Sequence, residues 1–155
     1  MVVGNVDLIA LLSTYQGRIN RAKYWIAVLC FLIIGIALGI LGFIFSMIGD
    51  IGTYLILIIS VVVYIAMMVA GVFVGIKRLH DRNKSGWWLL VFMFAPGILS
   101  AIGFMIGSFV ATIFSLAAFG ITVWMFVELG CLRGTVGPNQ YGPDPLPGLA
   151  AMPAR

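Results

Sequence analysis

No charged side chain lies between Lys23 and Asp50, between Asp50 and Lys77, or between Lys84 and Glu128. Charge is scarce overall: charged residues are 9% of the 155, against 63% hydrophobic. A soluble domain carries about 25% charged residues. A short chain also has too much surface for its volume to hide this much apolar side chain. The scarcity excludes a soluble globular domain and leaves lipid as the cover. Cysteine is nearly missing too. Cys30 sits inside an apolar run and Cys131 just beyond another, so neither a disulfide framework nor a metal-ligand spacing is present. Both cysteines read as small apolar residues, and no cofactor or metal is expected. Residues 1–16 lack Lys and Arg and contain Asp7, unlike the basic start of a cleavable signal peptide. The first long apolar run would itself direct insertion. Finally, no ionisable residue lies deep in an apolar run, whereas ion-coupled transporters bury such groups in mid-membrane.

What is there are membrane spans. The first two charge-free gaps each fit one helical pass of about 20 residues, at about 24–48 and 53–76. As a single helix the third gap would extend roughly 60 Å, twice the roughly 30 Å hydrocarbon core. Two passes, about 86–103 and 108–129, are the economical reading. Pro96 within Ala95-Pro96-Gly97 is expected to kink or interrupt the third pass, since proline lacks an N–H and clashes with the preceding turn. The alternative is a short helix ending near Pro96 followed by one long helix. Ahead of the spans, Leu8, Leu11, Leu12 and Tyr15 recur at helical spacing, which predicts a short helix on the membrane interface or packed against the bundle. Residues 134–145 read as an irregular Gly/Pro-rich segment and 146–155 as a loose end. The expected fold class is all-α: an integral membrane four-helix transmembrane bundle over 1–132, with a short N-terminal interfacial helix and an irregular Gly/Pro-rich tail over 133–155.

Charge sets the expected orientation. Arg18, Arg21 and Lys23 precede the first span. Lys77, Arg78, Arg82 and Lys84 fall between the second and third, and Arg133 and Arg155 follow the fourth. With four passes every Lys and Arg falls on one side, and the opposite connections carry only Asp50. The positive-inside rule then puts both termini in the cytoplasm. Trp25, Trp87, Trp88 and Trp124 fall near the same ends, where indole favours the interface. The net charge of +4 flanks apolar spans, so its expected partner is anionic lipid head groups rather than nucleic acid.

Three polar motifs lie on that side. The run from Lys77 to Trp88 packs Arg78, His80, Asp81 and Arg82 together. Arg78 and Arg82 could grip a phosphate or an acidic partner with their planar forks. Alternatively the loop only holds topology, Asp81 pairs with a neighbouring arginine, and Ser85 or Asn83 caps the third span. His80 beside Asp81 lacks the accompanying nucleophile or ligand set of a catalytic site. In the motif Gly17 to Trp25, Gly17 permits a bend, and Arg18 and Arg21 could meet Asp81. In the motif Arg133 to Pro145, each Gly or Pro dictates backbone shape, and Tyr141 could tuck into the mouth of the bundle. Inside the spans, Gly35-x-x-x-Gly39 and Gly71-x-x-x-Gly75 allow close helix approach.

Together these motifs resemble the domain-of-unknown-function family 805, a set of small bacterial inner-membrane proteins. The marks are Gly17-Arg18-x-x-Arg21-x-x-Tyr24-Trp25, Arg78-Leu79-His80-Asp81 with Ser85-Gly86-Trp87-Trp88, and Gly134-Thr135 with Gly137-Pro138-Asn139 and Tyr141-Gly142-Pro143-Asp144-Pro145. Val136 stands where the family often has Pro, and Gln140 where it often has Arg. The resemblance implies a bacterial cytoplasmic-membrane protein and no particular reaction. The expected function is a non-enzymatic accessory or interaction subunit, working through a cytoplasmic surface of Arg18, Arg21, Arg78, His80, Asp81 and Tyr141. A membrane protein partner or a homo-oligomer is expected, beside membrane lipids. The alternatives are a binder or carrier of an anionic lipid, and a channel or transporter for a small neutral solute centred on Pro96.

Overall fold

The computed structural model describes residues 2–3 and 6–146; the expected loose end falls outside them from residue 147 onward. Two short strands, β1 (Val2–Val3) and β2 (Val6–Asp7), pair antiparallel ahead of the helices. Helix α1 spans Leu8–Ser13, and the Asp7 carboxylate accepts from the N–H groups of Ile9 and Ala10 at its first turn. Four helices long and apolar enough to cross a membrane follow: α2 (Arg21–Ser46), α3 (Asp50–Asp81), α4 (Trp88–Ile106) and α5 (Ser108–Phe126). The last continues into a π-helical turn, Val127–Cys131. Asn20 caps α2 by accepting from the Lys23 N–H at 2.9 Å. At the opposite end, Gly49 and Gly107 make the tight connections with φ of 104° and 135°, values that a residue with a Cβ rarely adopts.

The charge-free gaps thus each resolve into the expected helices, and the longest into two. Its break falls at Gly107, not at Pro96: α4 runs unbroken through Pro96. Proline here removes one i→i−4 bond, which leaves the Phe92 carbonyl without its helical donor. Pro96→Ala should therefore raise stability against unfolding in detergent, by about 1–3 kcal/mol. Denaturation followed by circular dichroism checks this; an unchanged or lowered value would mean that the Phe92 carbonyl has another donor.

The helices pack as two hairpins, α2 with α3 and α4 with α5. The hairpins meet at the end that carries the basic residues. There Leu79, Leu89, Phe92 and Leu129 form one buried cluster, and Leu11, Ile19, Ala27 and Val74 form another beneath α1. A Cβ on Gly75 would lie 2.9 Å from Leu89, so glycine sets the approach of α3 to α4. Gly71 faces Phe31 of α2, whereas Gly35 and Gly39 have nothing within 4 Å. Away from this end the side chains are exposed and apolar, Phe43, Tyr54, Phe104 and Phe109 among them. Helix α3 has 32 residues, about 48 Å at 1.5 Å per residue. It outruns a roughly 30 Å hydrocarbon core, and its last turns carry Lys77, Arg78, His80 and Asp81 into a polar cap.

Candidate functional site

The cap begins from a general problem of helix ends. The last four carbonyls of a helix have no intrahelical donor, and they form the negative end of its dipole. Several helix ends meet here, and side chains of the sequence motifs supply the donors. After α5, Leu129 O accepts from Arg78 Nε at 2.7 Å, Gly130 O from Trp25 Nε1 at 3.1 Å and Cys131 O from Arg21 Nη1 at 2.8 Å. Leu132 O accepts from Arg78 Nη2, and Arg133 O from Arg82 Nη1. At the end of α1, Lys77 Nζ donates to Ala10 O and Leu11 O at 3.0 and 2.5 Å. At the end of α3, His80 O accepts from Asn139 Nδ2 at 2.9 Å, and Asp81 O from the N–H of Thr135 at 2.8 Å.

Asp81 stands at the centre. Its Oδ1 is 3.1 Å from Arg18 Nη2 and its Oδ2 is 2.5 Å from Arg78 Nη1, with all three side chains almost fully buried. Arg18 also donates to Thr135 O at 2.6 Å, Gly137 O at 2.7 Å and Gly142 O at 3.3 Å. One guanidinium thereby ties the start of α2 to the end of α3 and to the tail. Gly134 lies so close that a Cβ there would collide with the Asp81 carboxylate. A second pair of cations, Arg82 and Lys84, holds buried Glu128 at 3.0 and 3.1 Å. Lys84 also sits 5.9 and 5.8 Å from the ring centres of Trp88 and Trp124, within cation–π range.

Of the residues singled out in the sequence, Arg18, Arg78 and Asp81 come together in one ion-paired knot. An incoming phosphate would have to displace Asp81 to reach Arg78. Arg21 lies on the rim, exposed, and meets a backbone carbonyl rather than Asp81. His80 and Tyr141 stack with ring centroids 3.8 Å apart and planes 4° apart, both half-buried. Neither Asn83 nor Ser85 caps α4 as a regular N-cap. Asn83 takes φ 56° just after α3 ends, and the Ser85 hydroxyl accepts from the Trp87 N–H at 3.4 Å. Sequence reasoning did not assign roles to Lys77, Glu128 or Asn139. Glu128 had a readable signal, being the only acid between Lys84 and Asp144.

The tail also has an internal brace. The Asp144 carboxylate accepts from the N–H groups of Leu146 at 2.9 Å and Gly137 at 2.8 Å. Those two bonds hold its pKa below the usual carboxylate value. A depressed folded pKa means that the brace stabilises the tail above the unfolded value, about 3.9. That contribution is lost as pH falls through the folded value. The Gly137 amide proton resonance should therefore titrate with a midpoint below about 3.9, and Asp144→Asn should abolish the transition. A midpoint at or above that value would contradict the brace.

The model of the family described as "Protein of unknown function (DUF805)" matches residues 12–143, which takes in the whole knot. The chain belongs to this family. It is the family that the three motifs resemble. Among similar proteins, the "Uncharacterized protein YiiR" of Escherichia coli (strain K12) is 30% identical over 148 residues, covering 86% of each chain. The "Inner membrane protein YhaH" of the same organism is 28% identical over 133 residues, covering 84% of this chain and 86% of the relative. The "Inner membrane protein YhaI" is 30% identical over 131 residues, covering 84% and 85%. No solved structure matches the chain. Val136 and Gln140, the two positions at which the resemblance led to Pro and Arg being expected, are both exposed, so neither side chain takes part in the knot.

Proposed function

We propose that the chain is a non-enzymatic accessory or interaction subunit of a bacterial inner membrane, with both termini in the cytoplasm and the polar cap as the surface a partner meets. The carrying observation is that the three motifs converge on helix ends and on one another. Their buried cations are taken up by carbonyls and by Asp81 and Glu128. Such an arrangement builds a surface of fixed shape, held above spans that carry charge only at their cap ends and at Asp50. The orientation rests on charge: the described Lys and Arg residues gather at the cap, while Asp50 stands alone at the other end, as the positive-inside rule requires. The names of YhaH and YhaI agree with an inner-membrane location. In this reading α1 lies along the cytoplasmic interface, its Leu11 buried against α3 and Ile9 turned outward.

Photo-crosslinkers placed at exposed Gln140 and Val136, and at Ile51 and Phe109 on the opposite end, test this in native membranes. The expected result is one defined protein adduct from the cap positions only, retained in native mass spectrometry and lost in Asp81→Ala. Adducts with lipid alone at every position would overturn the accessory-subunit reading.

A further inference from the structure

The cap leaves two arginines unneutralised. Arg21 uses one donor on Cys131 O, and neither Arg21 nor Arg133 has an ion pair among the described residues. Both line one cavity of about 140 Å³, together with Asn20, Thr135, Asp81 and Asp144. The two carboxylates do not cancel the positive field. Asp81 is held between Arg18 and Arg78, and both oxygens of Asp144 accept backbone N–H bonds. With the arginines behind Asp81 included, four guanidiniums face two carboxylates. The start of α2, the positive end of a 26-residue helix dipole, opens on the same space. Asn20, Arg21 and Leu146 also line a second hollow of about 490 Å³, which runs past Trp25, Gly130 and Cys131. A polar, cationic cavity therefore continues into a groove that starts down the membrane-facing side of α2.

We infer that Arg21 and Arg133 form a binding site for a phosphate group at the membrane surface, with the adjoining groove placed to take the glycerol and first acyl carbons of an anionic phospholipid. Guanidinium forks suit phosphate oxygens, and these two are the arginines of the described residues that keep free donors and have no carboxylate partner. Arg78, buried and fully engaged, has no part in the site. The inference is independent of the partner reading, because a lipid could occupy this site whether or not a protein meets the cap.

Full-length delipidated protein in a neutral detergent would be titrated with dioctanoyl phosphatidylglycerol, dioctanoyl phosphatidylcholine and inorganic phosphate, with binding read by tryptophan fluorescence and native mass spectrometry. Phosphatidylglycerol should bind best, and Arg21→Gln/Arg133→Gln should weaken it by about a hundredfold, or about tenfold per arginine. Lys23→Gln should change it little. Arg133→Gln alone guards against a folding defect, because that side chain makes no hydrogen bond within the described fold; it should still cost about tenfold. Binding of inorganic phosphate as tight as that of the lipid, with the same arginine dependence, would uphold the anion site and assign it to a soluble ligand. Equal phosphatidylglycerol binding by wild type and variants, or equal binding of both lipids, would overturn the site.

Discussion

Asp81→Ala should lower the unfolding free energy by about 3–5 kcal/mol, the usual cost of leaving a buried charge without its partner. The effect is large because one carboxylate serves two guanidiniums, Arg18 and Arg78, whose side chains are 1% and 0% exposed. Neither can turn to water without releasing carbonyls of the tail or of the turn after α5. Replacing both charges by apolar groups could be neutral; removing only the acid cannot. Arg78→Lys should also fail to restore wild-type stability. A single ammonium cannot reach Leu129 O, Leu132 O and Asp81 together as the planar fork does. Denaturation of purified protein in detergent measures both variants. A loss below about 1 kcal/mol for Asp81→Ala, the scale of an exposed pair, would show that the knot is solvated.

Gly134→Ala should expel the tail from the cap. The added Cβ would overlap the Asp81 carboxylate, which is pinned from two sides and cannot retreat. Relief requires the backbone around Gly134 to move, which breaks the bond from the Thr135 N–H to Asp81 O and loosens the hold of Arg18 on Thr135, Gly137 and Gly142. Overpacking of this kind costs about 1–3 kcal/mol. Gly137→Ala is a fitting comparison. Its added Cβ meets nothing within 4 Å, but φ is 79°, so the cost is backbone strain of about 1–2 kcal/mol with the tail still docked. Limited proteolysis separates the two: segment 134–146 should be cut readily in Gly134→Ala and resist in Gly137→Ala and wild type. Equal resistance in all three would mean that the tail does not rest on Asp81.

The spans were legible because charge is excluded from lipid-facing helix, so the gaps between Lys23, Asp50, Lys77, Lys84 and Glu128 mark them directly. The pairing of Arg18 with Asp81 was legible as well, since an acid set among more cations than acids on one membrane face is expected to meet one of them. The fate of Arg21 was not, because its acceptor is the Cys131 carbonyl, and any residue supplies a carbonyl. Lys77 reads as a topological charge in sequence, yet it is buried and closes the end of α1. Pro96 promises a break, but helices in a membrane can retain proline when neighbouring groups or packing compensate. The turn falls at Gly107, within the connection that the two expected passes, 86–103 and 108–129, already leave between them. The π-helical turn at Val127–Cys131 left no local mark; its carbonyls meet Trp25 and Arg78, which lie far away in the sequence.

Amide hydrogen exchange across residues 129–146, in wild type and in Asp81→Asn, bears most directly on the claim that the motifs lock helix ends and tail into one cap. The capping network predicts slow exchange at the N–H groups of Thr135, Gly137, Asn139 and Gly142 in wild type, and release of all of them in the variant. Open-chain exchange rates for these amides in wild type would contradict it.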